Sequence, residues 1–279
     1  MEFSLTTLGT ASAKPIVDKY SSVHVLNARG RLFLIDCCEG AQTQLVRHRL
    51  SMLKIDHVFI SHLHGDHVFG IFGLLSTMAL LGRRTDLHIY APRDFSSILN
   101  FFMGHFGEGV KFNIEHHPLT FHDKRLICET KTADVYAFPL NHCIETYGFL
   151  FVEKWQEHPL APKRYERSVA YCCDTAPFDG LADWVRGADI LFHEATYTRE
   201  LQAVANERFH STAEQAAKLA VEAGAGMLVT GHFSSRYKDP NVFLDEARPI
   251  FPATFLAEEG KKFEIPYRRL DDDSSSDQV

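Results

Sequence analysis

Four side chains able to bind a metal ion fall within six positions of one another, in Ser61-His62-Leu63-His64-Gly65-Asp66-His67. Imidazole nitrogen and carboxylate oxygen are the donors a zinc ion takes at sites that keep an open position for chemistry. The compact apolar run His57–Ile60 reads as a strand leading straight into this segment, so a sheet end would aim the donors. Gly65 would permit a tight backbone path. His62 and His64 can hold one ion while Asp66 and His67 face a second. A single histidine in such a place is more often an ordinary surface or turn residue, but four donors in one turn directly after a buried strand are poorly explained that way.

Two ions need more donors than this segment holds, and three further residues sit just past apolar runs. His142 follows Phe138-Pro139-Leu140, Asp174 follows Val169-Ala170-Tyr171-Cys172-Cys173, and His232 follows Met227-Leu228-Val229-Thr230-Gly231. Taken singly, His142 and Asp174 suit turns and His232 suits a capping group. Taken with the first segment they complete a set of seven ligands.

The elements that must position these residues are legible as short runs. Strands are expected at Phe3–Leu8, Val23–Leu26 and Arg31–Asp36, the last two joined by an Asn27-Ala28-Arg29-Gly30 hairpin turn. More follow at Leu87–Tyr90, Lys111–Glu115, Val135–Pro139, Tyr147–Val152, Ser168–Cys172 and Asp189–Phe192. Helices are expected at Ala41–Leu50, Phe69–Leu81, Arg93–Phe102, Leu181–Arg186, Ser211–Ala223 and Asn241–Ala247. Ser211-Thr212-Ala213-Glu214 fits a capping box, which would satisfy the free backbone N–H groups at a helix start. Strands first and then strands mixed with helices imply two sheets with helices outside. The acidic, serine-rich ending predicts a domain over residues 1–267 and a disordered tail over 268–279.

The bulk composition excludes several classes. The chain has 279 residues, 45% of them hydrophobic and 23% charged, which suits one large globular α/β domain. A formal charge of −7 gives no global basic signature, so a nucleic-acid ligand would need a local basic patch or metal ions. Cys37, Cys38, Cys128, Cys143, Cys172 and Cys173 form neither a C-x-x-C metal site nor a disulfide scaffold, and read as reduced thiols of a cytoplasmic protein. Met1-Glu2-Phe3-Ser4-Leu5 shows no signal-peptide pattern. The most apolar stretch, Val68 to Gly82, is shorter than the roughly 20 residues that span a bilayer, so no membrane association is expected.

The motifs together resemble the ribonuclease Z family of tRNA 3′-end processing endonucleases, within the metallo-β-lactamase superfamily. The H-x-H-x-D-H segment carries the superfamily. Ile35-Asp36-Cys37-Cys38-Glu39-Gly40-Ala41-Gln42, His193-Glu194-Ala195-Thr196 and His232-Phe233-Ser234-Ser235-Arg236-Tyr237 carry the family. The resemblance implies an α/β fold, the αββα four-layer metallo-β-lactamase sandwich, and two Zn2+ per chain, with Mn2+ or Fe2+ as possible substitutes. His62, His64 and His142 would hold one ion, Asp66, His67 and His232 the other, with Asp174 bridging and Asp36 orienting the ligand loop. Asp66 is the family's proposed general base, although a carboxylate on zinc is a weak base and could mainly orient the nucleophile. Glu194 and His210 match the pair that protonates the leaving oxygen; read without the resemblance, they are a loop carboxylate and a residue preceding a helix cap. Water between two zinc ions has its pKa lowered toward about 7, so the expected reaction is hydrolysis of precursor tRNA to a 3′-hydroxyl RNA and a 5′-phosphate fragment. A homodimer is implied by the family and by the apolar helix Phe69–Leu81.

Two departures stand out. Members from bacteria usually carry a long flexible arm between the positions of His142 and Asp174, and here the interval is short. Its connecting stretch interleaves Lys154, Lys163, Arg164 and Arg167 with Trp155 and Tyr165, a candidate reduced RNA contact, although a loop of this length is more often a turn with a solvated charged face. The loop Gly9-Thr10-Ala11-Ser12-Ala13-Lys14-Pro15 also differs from the family's pattern. Two other functions compete: a phosphodiesterase or esterase for a small substrate such as a cyclic nucleotide, and a non-catalytic RNA-binding scaffold, which would have no use for seven placed ligands.

Overall fold

The computed structural model describes residues 1–14, 16–155 and 166–267. The tail, Lys163, Arg164 and Tyr165 therefore lie outside the described residues. One seven-stranded sheet contains β1 (Phe3–Thr7), β2 (His24–Ala28), β3 (Arg31–Ile35), β4 (Ile55–Phe59), β5 (Leu87–Pro92) and β6 (Ile114–Leu119) in chain order, with β14 (Lys261–Glu264) beside β1. The other runs β13-β12-β11-β10-β9-β8-β7, from β7 (Arg125–Glu129), β8 (Ala133–Pro139), β9 (Tyr147–Glu153), β10 (Ser168–Cys172), β11 (Ile190–Glu194) and β12 (Met227–Gly231) to β13 (Thr254–Leu256). Helices α1 (Ala41–Arg47), α2 (Gly65–Val68), α3 (Ile71–Leu80) and α4 (Phe95–Phe106) accompany the first sheet. Helices α5 (Leu181–Trp184), α6 (Gln202–Glu207), α7 (Ala213–Ala223) and α8 (Asn241–Ala247) accompany the second.

Three apolar clusters hold the four layers. Phe33, Phe59, Phe149, Phe151, Tyr171 and Phe192 fill the space between the sheets. Leu45, Leu74, Met78 and Phe95 join the first sheet to its helices, and Leu181, Ala216, Ala220 and Phe243 do the same for the second. Strand β9 is apolar along nearly its whole length because both its faces are covered. The αββα sandwich is the architecture implied by the sequence.

Local boundaries differ from expectation in informative ways. The helix expected from Phe69 to Leu81 is α3, Ile71–Leu80, and a separate short helix, α2, precedes it across a break at Phe69 and Gly70. A Cβ on Gly70 would stand 1.8 Å from the Cys38 carbonyl oxygen, and the Gly70 N–H donates to the Cys37 carbonyl at 2.8 Å. The ligand segment is thereby tied to the loop after β3. Gly65 begins α2 without a left-handed backbone, so its expected role in a tight turn is not the one it plays. The capping box of α7 is set one residue later than expected. Thr212 Oγ accepts from the Gln215 N–H while Gln215 Oε1 accepts from the Thr212 N–H. Ser211 is free to donate its hydroxyl to the Thr175 carbonyl at 2.6 Å.

Candidate metal centre

Parallel pairing of β3 with β4, and of β11 with both β10 and β12, brings the carboxyl ends of these strands to one rim of the sandwich. Ligand sites in α/β sheets form outside such ends. Asp36 follows β3, His62 follows β4, Asp174 follows β10, Glu194 closes β11 and His232 follows β12. Asp36 (φ 54°) and His232 (φ 60°) hold the left-handed backbone region, which non-glycine residues adopt rarely and mostly where surrounding structure enforces it.

All seven sequence-predicted ligands meet at this rim. His62 Nε2 lies 3.1 Å from His64 Nδ1, which lies 3.3 Å from His142 Nε2, and Asp174 Oδ2 faces His62 Nε2 at 3.6 Å and His142 Nε2 at 3.8 Å. The second group sets His67 Nε2 3.5 Å from Asp66 Oδ2, and His232 Nε2 3.4 Å from the same oxygen. Asp174 Oδ1 completes it, 3.6 Å from His67 Nε2 and 3.2 Å from His232 Nε2. Tetrahedral zinc with bonds near 2.0–2.1 Å sets its ligand atoms about 3.3 Å apart, and these separations bracket that value. Asp174 thus offers one oxygen to each group, and Oδ1 is buried with no hydrogen bond. A buried carboxylate oxygen without a partner is costly, and a divalent cation is the group that fits it.

The charges fit the same reading. Burial is the foremost influence on His62, His64 and His142, and it keeps all three imidazoles below their ordinary pKa, neutral and able to donate a lone pair. Burial pushes Asp66 and Asp174 upward, but neighbouring histidines, His67 and His232 among them, outweigh it and hold both carboxyls well below the usual range. His67 is buried, which disfavours charge, yet Asp174, Asp66 and Asp36 together raise its pKa well above the usual value. Three carboxylates thus demand positive charge at this point, from a proton or from a cation.

Two fully buried carboxylates orient the donors. Asp36 Oδ2 accepts from Tyr171 Oη at 2.7 Å, from Ser61 Oγ at 2.9 Å and from His67 Nδ1 at 2.8 Å, leaving His67 Nε2 for the cluster. Its Oδ1 accepts from the Ser61 N–H at 2.8 Å. Glu194 Oε1 accepts from His210 Nδ1 at 2.8 Å and from the N–H groups of Thr175 and Ser211, each at 3.1 Å. Its Oε2 takes the Thr196 hydroxyl at 2.7 Å, and that hydroxyl in turn accepts from His232 Nδ1 at 2.9 Å. Burial works against a charged His210, but the Glu194 carboxylate outweighs it and the imidazole is pushed up to about 9. The pairings of Asp36 with His67 and of Glu194 with His210 agree with the sequence reading. Ser61, Tyr171 and Thr196 were not foreseen; Ser61 and Thr196 each lie within two residues of a named site residue, whereas Tyr171 is distant from Asp36 in sequence and gave no signal.

The predicted RNA contacts fare differently. Arg167 is buried, donates to both oxygens of Glu153 at 2.7 Å and also to the carbonyls of Ile265 and Met1, so it cannot reach a phosphate. Lys154 is bound by Asp134 at 2.9 Å and Glu129 at 3.4 Å. Both residues lie at the far end of β9, whose first residue, Tyr147, donates its N–H to Ser61 beside the cluster. Seven strand residues span roughly 20 Å, so Lys154 and Arg167 stand at the end of the sandwich remote from the metal centre.

The β-lactamase superfamily domain matches residues 31–233. Ribonuclease Z of Bacteroides fragilis is 36% identical over 296 positions, covering 92% of this chain and 97% of that protein. Ribonuclease Z of Bacteroides thetaiotaomicron is 38% identical, covering 92% and 94%. Since 92% of 279 residues is about 257, about 39 of the 296 positions aligned with the Bacteroides fragilis protein have no counterpart in this chain. Among solved structures, human tRNase Z, short form, superposes with a TM-score of 0.78 at 31% identity, covering 94% of this chain and 99% of that one. A metal-dependent hydrolase is what the donor cluster and these relatives jointly describe, and the chain belongs to the ribonuclease Z family of the β-lactamase superfamily.

Proposed function

We propose that this chain, as one domain over residues 1–267, is an endoribonuclease that removes the 3′ trailer from precursor tRNA with two zinc ions. The observation that carries the reading is Asp174, buried and sharing its two oxygens between two groups of three further donors, with a charged His210 on the rim. His62, His64 and His142 would hold one ion, Asp66, His67 and His232 the other, with Asp174 offering one oxygen to each group. When bound, the ions supply Lewis acidity that lowers the pKa of water and draws charge from phosphate oxygens. Manganese or iron could occupy the same donors, because ligand type alone does not select the metal.

The protein's own residues then divide the work. Asp66 stays ionised, and its Oδ2 already accepts from the Ala13 N–H at 2.8 Å, so it orients the attacking water and is too weak a base to take a proton outright. Asp36 fixes the His67 ring, and Glu194 fixes His232 through Thr196. His210, with Nδ1 held by Glu194, has Nε2 left to protonate the departing 3′ oxygen as the bond from that oxygen to phosphorus breaks. The products are a 3′-hydroxyl on the tRNA and a 5′-phosphate on the trailer.

One observation favours a second reading, a phosphodiesterase for small substrates. About 39 aligned positions of a long relative are missing here, and the described cations of the shortened stretch are paired internally. Affinity for a folded RNA depends largely on phosphate contacts. Assay of the purified protein on precursor tRNA beside a small phosphodiester separates the two: trailer removal supports the first reading, and hydrolysis of the small substrate alone supports the second.

The expected homodimer belongs to the same proposal. Phe69, Leu80, Phe101 and Phe106 expose apolar side chains on α3, α4 and the turn before α3, and a second copy covering them would remove that area from water. Sedimentation at micromolar concentration tests it, with a monomer as the contrary result. Six free cysteines suit a reducing compartment, the cytoplasm. No described helix is long and apolar enough to cross a membrane.

A further inference from the structure

A second group of metal donors lies on the first sheet, away from the rim. His88 on β5 is paired in register with Glu115 on β6, and Tyr90 with His117. His88 Nδ1 stands 3.1 Å from His117 Nε2 and 3.3 Å from Glu115 Oε2, and the latter two atoms are 3.9 Å apart. These separations match those within the donor groups of the rim, 3.1 to 3.8 Å. They also bracket the roughly 3.3 Å spacing of ligands on tetrahedral zinc.

The three donors are supported from behind. The His88 ring stacks on His57 with centroids 5.0 Å apart, and the His117 ring stacks on Tyr90 at 4.5 Å. Cys128 Sγ lies 3.7 Å from His57 Nδ1, fixing the ring beneath His88. Asn113 Nδ2 donates to Glu115 Oε1 at 2.9 Å, which leaves Oε2 to face the imidazoles. Such supporting contacts are what hold a ligand's orientation before the metal arrives. His88, Glu115 and His117 themselves are partly open to solvent, so an ion can enter and keep a water as fourth ligand.

We propose that His88, Glu115 and His117 form an additional zinc site that staples the edge strand β6 to β5. Strand β6 is hydrogen-bonded to the sheet on one side only. A bond network through one ion to His88 on the neighbouring strand supplies a second tie. His88 Nδ1 and His117 Nε2, 3.1 Å apart, have room for one proton between them, and a cation fits in place of that proton. The three donors form a group that shares no residue with those of the rim, so the two centres are separate. The proposal does not depend on the reaction assigned to the rim.

The test uses the intact protein, equilibrated by dialysis against micromolar zinc, with metal counted per chain. Glu115→Gln and His117→Gln should each bind one equivalent fewer than the unaltered protein while retaining its phosphodiester hydrolysis. Zinc should also slow amide hydrogen exchange over residues 114–119 in the unaltered protein about tenfold or more, and leave exchange in either variant unchanged. Equal metal content in all three proteins, or zinc protection of β6 that survives both substitutions, overturns the proposal. A His64→Ala variant keeps the two sites apart: it should lose metal from the rim and still show zinc protection of β6.

Discussion

The two buried carboxylates at the rim are built alike and act differently. Asp36, at the end of a strand of the first sheet, accepts four hydrogen bonds and faces a single histidine of the cluster, His67. Glu194, at the end of a strand of the second sheet, accepts five and faces two histidines, His210 directly and His232 through Thr196. Each raises the pKa of the imidazole it touches, but in the proposed reaction Asp36 only orients a metal ligand, whereas Glu194 orients His232 and keeps a proton on His210. In the proposed reaction the difference lies in the ring beside each acid: His210 can give its proton to substrate, whereas His67 is committed to the donor cluster.

Breaking the shared centre should have the largest effect and should not distinguish the two acids. Asp66→Ala removes a donor and the group that orients water together, and is expected to abolish phosphodiester hydrolysis and lower metal content. Retention of activity with full metal would place Asp66 outside the reaction. His210→Ala touches only the Glu194 side. It should leave metal content unchanged and slow hydrolysis of natural phosphodiesters by about 10²–10⁴-fold, the usual contribution of a general acid. A nitrophenyl ester, whose leaving group needs no proton, should be almost unaffected. Equal losses on both substrates would make His210 a structural residue.

Asp36→Asn acts on the other side of the comparison. Loss of an orienting partner typically weakens metal affinity by about 10–100-fold, and activity should return when metal is raised. Rates that stay low at saturating metal would contradict a purely orienting role. The smallest change is expected from Glu194→Gln, seen mainly as a pH shift. His210 is pushed up to about 9, so it carries its proton below that value and the rate on poor leaving groups should fall as pH rises through 9. Without the carboxylate, the falling limb should move down toward the ordinary histidine value of about 6.5. Because the folded pKa is the higher one, the pair's contribution to stability is present below about 6.5 and is lost as pH rises through 9. An unmoved limb in Glu194→Gln would show that Glu194 does not hold that proton.

The centre was legible because its donors sit at strand ends, where an apolar run followed by His or Asp is a local signal. His142, Asp174 and His232 carry the same pattern, which alone suits a turn or a cap as well and gained its weight from the His62–His67 segment. Strands β7 and β14 were not legible. Arg125-Leu126-Ile127-Cys128-Glu129 and Lys261-Lys262-Phe263-Glu264 are edge strands with mostly solvent-facing side chains, and β14 pairs with β1 from the opposite end of the chain. The break at Gly70 depends on the Cys38 carbonyl, a tertiary contact with no sequence mark. Arg167 was misread for a related reason: a charge in a basic and aromatic stretch gives no sign of whether it turns outward to phosphate or inward to Glu153.

On the proposed mechanism, this centre cuts precursor tRNA by breaking the bond between phosphorus and the 3′ oxygen. Incubation of the zinc-loaded protein with end-labelled precursor tRNA, followed by analysis of the new termini, tests it most directly. One endonucleolytic cut is expected, leaving a 3′-hydroxyl on the tRNA body and a 5′-phosphate on the trailer, and it should be lost in Asp66→Ala. A 2′,3′-cyclic phosphate on the tRNA body, or an intact precursor under conditions where a nitrophenyl phosphodiester is hydrolysed, would contradict it.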